Sequence, residues 1–198
     1  MGRIEDGLGS GRQAKVDSQR RLSVQAVSEA ESVHSTEAGT SYNLNTGLIS
    51  ITADATLMYY KNTGEKDFVI EAIALGSFEG ITHSDDPYIT IVRNPTGGDL
   101  ITDATTAGVL NQNRNFGASD NLSGLFYKGK VGGTLTGGDD IAILQATPGA
   151  RSFYTINFIL TKGDSIGVKL NANVSSGSAN WYSAIIGFEK INTKDPED

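Results

Sequence analysis

Between Phe153 and Leu170 the chain reads FYTINFILTKGDSIGVKL. Tyr154, Ile156, Phe158 and Leu160 alternate with Phe153, Thr155, Asn157 and Ile159, so one face of the segment is wholly apolar, as a strand laid against a core requires. Lys162-Gly163-Asp164 breaks the run with a residue free to take positive φ and one that can bond its own backbone. Ile166, Val168 and Leu170 then restart the alternation. The pattern predicts a hairpin or a sheet corner at the centre of an all-β domain.

The same reading extends along the chain. From near Tyr42 it predicts strands at Leu48–Thr52, Thr56–Lys61, Phe68–Leu75 and Tyr88–Arg93, punctuated by Asn45-Thr46-Gly47, Asn62-Thr63-Gly64 and Asp85-Asp86-Pro87. Thr63-Gly64-Glu65-Lys66 has hairpin-turn chemistry. Phe68–Leu75 is apolar apart from Glu71, as in a central strand covered on both faces. Periodicity fades between Asn94 and Gly138, where ten glycines fall; short strands are expected there at Gly98–Thr102 and Leu122–Lys128. Ile141–Gln145 and Asn180–Ile191 complete about nine strands, enough for an antiparallel β-sandwich. Long excursions and a late strand pair joined by Lys-Gly-Asp resemble jelly rolls of the tumour-necrosis-factor and C1q type, which implies a jelly-roll-like body and a trimer. The expected layout is an extended N-terminal arm (1–41), a sandwich domain (42–194) and an acidic tail (195–198).

The 198 residues suffice for one domain plus an appendage, and 24 glycines against 4 prolines suit short strands and frequent turns. With no cysteine, disulfides, thiolate metal sites and cysteine nucleophiles are excluded. A net charge of −7 argues against nucleic acid or anionic lipid as partner. The first residues lack the apolar run of a signal peptide, no stretch is long enough to span a membrane, and Asp6 spoils a myristoylation motif after Met1-Gly2.

Charge is unevenly placed at the start. Arg3, Arg12, Lys15, Arg20 and Arg21 outnumber Glu5, Asp6 and Asp17, whereas from Leu22 to Thr40 the formal charges are Glu29, Glu31 and Glu37. One reading is a solvated leader that buries too little to repay ordering. The other is an arm ordered by a partner: Leu22, Val24 and Ala26 alternate with Ser23 and Gln25, so Arg21–Val27 can add to a sheet edge. The second reading is favoured. Gly39 and the scattered Ser and Thr argue against a helix over Val24–Glu37.

Catalytic and metal chemistry are thinly provided for. His34 and His83 are far apart, leaving only oxygen ligands for a metal. Gly137-Gly138-Asp139-Asp140, with Asp103 or Asp120, could hold calcium, but reads more simply as a turn. Gly76-Ser77-Phe78-Glu79-Gly80 has its serine one place too early for a nucleophile elbow. His83 with Asp85 or Asp86 could orient a base, but reads more simply as a loop cap. No phosphate loop is present, and Asn121-Leu122-Ser123 and Asn173-Val174-Ser175 are sequons by pattern alone. The paired aromatics Tyr59-Tyr60, Phe126-Tyr127 and Trp181-Tyr182 should each place one ring in the core and one at the surface. Trp181 and Tyr182 are candidates for a subunit interface or a glycan face. The expectation is a chain without catalytic residues, metal or cofactor.

IEDGLGSGRQAKVDSQRRLSVQAVSEAES, SYNLNTGLISIT, YYKNTGEKDFVIEAIALG, RNPTGG, NFGASDNL, YKGKVGGTLTGG and LTKGDSIGV together resemble virion structural proteins of tailed bacteriophages, from Ile4 to Val168. The resemblance implies a non-enzymatic particle component, made in the host cytoplasm and placed on the capsid surface as a decoration or cement protein. Its partner would be the major capsid protein or another virion protein. The contact arm would use Arg3, Arg12, Lys15, Arg20, Arg21, Leu22 and Val24, and the body would form a homo-oligomer, a trimer by preference. The alternative is a head-fibre or tail module that binds a receptor or glycan.

Overall fold

The computed structural model describes residues 4–5, 13–16, 22–23, 31–78, 81–83, 85–102, 110–129, 134–147 and 149–190. It divides into two units, Met1–Ala30 and Glu31–Asp198. In the first, β1 (Ile4–Glu5), β2 (Gln13–Val16) and β3 (Leu22–Ser23) form an antiparallel sheet with β2 in the middle. The strand expected at Arg21–Val27 is therefore represented by Leu22–Ser23, paired with Val16 and Lys15 of its own unit. These stretches satisfy backbone groups against one another.

The second unit begins at α1 (Glu31–Glu37), ahead of the boundary expected at Tyr42. Gly39, counted above against a helix, is its stop signal. At φ 74° it lets Thr40 N–H bond the Ser35 carbonyl (2.8 Å) and its own N–H bond that of Thr36 (3.1 Å), closing the last turn. Ser35 is buried, so α1 belongs to the body.

The body continues through β4 (Ser41–Asn45), β5 (Ile49–Ile51), β6 (Ala55–Asn62), β7 (Phe68–Ser77), β8 (Ile81–His83), β9 (Tyr88–Arg93), α2 (Asp99–Thr102), β10 (Leu110–Asn113), β11 (Gly124–Lys128), β12 (Asp139–Gln145), β13 (Arg151–Leu160), β14 (Ser165–Asn171), β15 (Val174–Gly177) and β16 (Ala179–Glu189). One sheet runs β10-β4-β16-β7-β13, with β5 also on β16; the other runs β11-β6-β14-β9-β12; β8 and β15 form a separate pair. The large sheets pack face to face around Tyr42, Leu44, Tyr60, Phe68, Ile185 and Trp181. The antiparallel all-β sandwich is as expected. None of the described helices is long and apolar enough to cross a membrane.

Several local expectations change. Gly98–Thr102 is not a strand: Asp99–Thr102 makes one helical turn, and Leu100 packs with Leu135 and Tyr59 in a small cluster of its own. That cluster covers the outer face of β6, so Tyr59 and Tyr60 are both buried instead of one ring facing out. Tyr60 stacks on Phe126 (centroids 5.0 Å) and Tyr59 on Tyr127 (5.9 Å), as their register dictates. The turn after β6 is not a hairpin. Both edges of β6 are taken, by β11 and β14, so the chain crosses to the opposite sheet to make β7. β7 is flanked by β16 and β13 as a central strand, but Val69, Glu71 and Ala74 on its second face are only half-buried.

The Phe153–Leu170 stretch is likewise a sheet corner, with β14 interior to one sheet and β13 at the edge of the other. Gly163 at φ 93° allows the turn. The Asp164 carboxylate caps it, accepting from Thr161 N–H (3.1 Å), Thr161 Oγ1 (2.7 Å) and Asn94 Nδ2 (3.0 Å). Its pKa falls below the ordinary carboxylate value, chiefly through the Thr161 hydroxyl and then Asn94.

Buried phenols set an alkaline limit. Burial, then Glu189 and Asp120, pushes Tyr42 up to about 12, and burial raises Tyr60 further. The fold thus favours the neutral phenols, so their contribution is complete below the unfolded value of 10.0 and is lost as pH climbs through the folded values. Urea midpoints should hold steady to about pH 10 and then fall steeply toward pH 12. A midpoint that stays flat to pH 12 would contradict the burial of these hydroxyls.

Candidate functional site

The residues expected to matter are scattered. Arg3, Arg12, Arg20, Arg21 and Val24 lie outside the described residues; Lys15 falls on β2 and Leu22 on β3. Trp181 and Tyr182 are neighbours on β16 and so point to opposite faces. Trp181 is fully buried between the sheets, paired with Ile49 and Ser77, and cannot belong to a glycan face. Tyr182 lies over Gly76, where an added Cβ would come within 2.4 Å of the ring. Tyr182 also helps line a shallow concavity of about 480 Å³ with Asn45, Leu48, Phe78 and Arg151. Leu48 reaches this rim because the Asn45 side chain accepts from Gly47 N–H (2.7 Å), with Gly47 at φ 64°.

The groups considered for chemistry are used in structure. Ser77 Oγ accepts from Gly149 N–H (2.9 Å) and so ties down the β12–β13 connection. His83 lies on β8 opposite Val174, and Asp85 caps the Asp86 amide (2.8 Å). Asp139 pairs with Arg93 (3.2 Å) on the adjacent β9, and Asp140 with Lys169 (3.5 Å) on β14, one strand further in. These carboxylates diverge, and no group of three or more metal-ligating side chains occurs among the described residues. Asp103 lies outside them.

The two long sides of the sandwich differ sharply. Between β10 and β11, residues 114–123 close one side. Asn113 Nδ2 donates to the carbonyls of Gly39 (2.6 Å) and Asp120 (3.1 Å), Asn111 to Leu122 (3.0 Å) and Asn115 to Glu37 (3.1 Å). Leu122 is buried beneath them. The asparagine-rich LNQNRN was the signal for this closure, and the sequence reading passed it over.

Among the described residues of the body, the other side is open. There β12 and β13 are the edges of opposite sheets, bridged where Tyr154 Oη donates to the Gln145 carbonyl. A cavity of about 220 Å³ lies between them, walled by Ile141, Asn157, Phe158 and Ile166 among others. Core-facing Ala142, Leu144, Ile156 and Phe158 are only partly covered, while Ile143 (68 %), Phe153 (63 %) and Ile159 (54 %) stand out into solvent. Natural sheets blunt edges with Lys, Pro or charge. β13 carries one charge, Arg151, at its start. Unpaired backbone beside exposed apolar side chains suits protein association better than a small-molecule reaction.

Comparison with protein-family models and with curated proteins finds no match for this chain.

Proposed function

We propose that this chain is a non-enzymatic structural protein of a tailed-phage particle, a decoration or cement protein of the capsid surface. Residues 1–30 hold it to the major capsid protein or another virion protein, and the sandwich body associates with further copies. The observation that carries the reading is that the chain divides into a unit of residues 1–30, where Arg3, Arg12, Lys15, Arg20 and Arg21 fall, and a body whose described residues expose Ile143, Phe153 and Ile159 along two sheet edges. The resemblance of the motif series from Ile4 to Val168 to virion structural proteins is the basis for the particle assignment. Arg3, Arg12, Lys15, Arg20 and Arg21 would pair with acidic shell surface, and repeated copies on a symmetric shell would add avidity.

Deleting Met1–Ala30 tests the mechanism. The cut falls before α1, since α1 and its Gly39 closure belong to the body. The truncated chain should melt within a few degrees of the full chain, yet its occupancy on purified capsids should drop at least about tenfold. Normal occupancy without these residues would refute attachment through them.

The concavity beside Tyr182 favours a second reading, a glycan-binding module of a fibre. Its aromatic rim, the Arg151 guanidinium and the Asn45 amide suit a sugar ring. Glycan-array binding abolished by Tyr182→Ala would select this reading; an array with no hits would retire it.

A further inference from the structure

From Phe153 to Ile159, β13 reads F-Y-T-I-N-F-I. About Ile156 this run matches itself in reverse. In an antiparallel pairing of two copies centred there, Phe153 faces Ile159 of the second copy, Thr155 faces Asn157, Tyr154 faces Phe158, and Ile156 meets its counterpart. Large apolar groups meet large apolar groups, and hydroxyl meets amide. Arg151 falls opposite Thr161 of the second copy, so no like charges are opposed.

We propose that β13 is a homodimer interface, on which a second copy of this chain docks antiparallel around a twofold axis that passes between the two Ile156 residues. The strand is placed for it: β7 occupies one edge, and the described residues leave the other without a strand. A bulge against β7 lies between Thr155 and Phe158, yet outward and inward side chains still alternate along the whole of β13. Phe153 and Ile159 face out and are more than half exposed, whereas Tyr154, Ile156 and Phe158 present half-covered flanks toward the open side.

The size of the surface is adequate. A ten-residue strand is about 33 Å long. The open side, two sheets about 10 Å apart with their outward side chains, is about 20 Å wide. This gives on the order of 650 Å² per copy and about 1,300 Å² in total, within the range of stable interfaces. Ile143 on β12 would widen the apolar part.

A second copy is the occupant because the match is between the strand and its own reverse. An unrelated strand would need no such symmetry, and the threefold ring expected from the sequence would join two different patches. The proposal stands whether or not the chain belongs to a virion, and its test uses no capsid.

The full-length chain, at about 50 µM by sedimentation velocity, should run as a dimer. Phe153→Lys with Ile159→Lys sets lysine against lysine twice and should raise the dimer dissociation constant at least about tenfold. Phe153→Lys with Ile159→Glu sets lysine against glutamate twice and should restore the dimer in low salt. Both side chains point into solvent, so circular-dichroism melts should show each variant folded. A monomeric or trimeric wild type, a Lys/Lys variant that remains dimeric, or a Lys/Glu variant as dissociated as Lys/Lys would overturn the proposal.

Discussion

Trp181→Ala is expected to lower the stability of the sandwich body by about 3–5 kcal/mol, the usual cost of emptying a site of this size. The indole is fully buried where the sheets face each other, among side chains drawn from both. Folded domains hold only about 5–15 kcal/mol in reserve, so the variant should show a large drop in urea midpoint and express poorly at growth temperature. Tyr182→Ala is the informative partner. That ring lies on the outer surface over Gly76, and its loss should cost about 1 kcal/mol or less. A Trp181→Ala protein with an unchanged midpoint would place the indole outside the core and return it to the list of binding residues.

Asn62→Ala is expected to cost about 2–4 kcal/mol, far more than its size suggests. Asn62 is buried at the end of β6, where the chain leaves one sheet for the other. Its Nδ2 donates to the carbonyls of Leu160 and Lys66, both at 2.9 Å, and its Oδ1 accepts from Gly64 N–H at 2.9 Å. Its backbone also bonds the second corner, through Asp164 O (2.9 Å) and Gly163 N–H (2.8 Å). Alanine would leave backbone groups at two corners without partners, at least one of them buried. Asn62→Asp could still accept from Gly64 but could no longer donate, and would bury a charge, so it should not rescue. Hydrogen exchange at Gly64 and Asp164 should accelerate in step with the lost stability. A change below about 0.5 kcal/mol would mean that the corners hold themselves.

The contrast between these two residues shows where sequence reading succeeds. The β-branched run of Tyr88–Arg93 was placed to the residue, because a strand covered on both faces leaves a short continuous apolar record and Asp85-Asp86-Pro87 marks its start. Alternation separated Trp181 from Tyr182 by face. Asn62, by contrast, looks like any turn asparagine. Its partners at Leu160 and Asp164 come from another strand and another corner, and no local pattern encodes them.

The misses have the same origin. α1 is short and poor in strong helix formers; it is held by its Gly39 closure and by burial of Ser35, so propensity underestimates it. β8, β10 and β15 are short pieces of three or four residues that passed as loop. The candidate site was hardest to see. A strand with one apolar face reads alike in mid-sheet or at an edge, so the open side between β12 and β13 became visible only once the strand order was known.

Sequence alone determined that this protein is a sandwich of antiparallel strands, where most of those strands lie, and that basic residues outnumber acidic ones over its first 21 positions. Alternation, turn chemistry and charge are local properties, readable one neighbour at a time. The tertiary structure decided which turns cross between sheets, which rings are buried and which strands end up at an edge. Those outcomes depend on competition for backbone partners among segments far apart in the chain: β11 and β14 fill the flanks of β6, and among the described residues β13 has a strand on one flank alone.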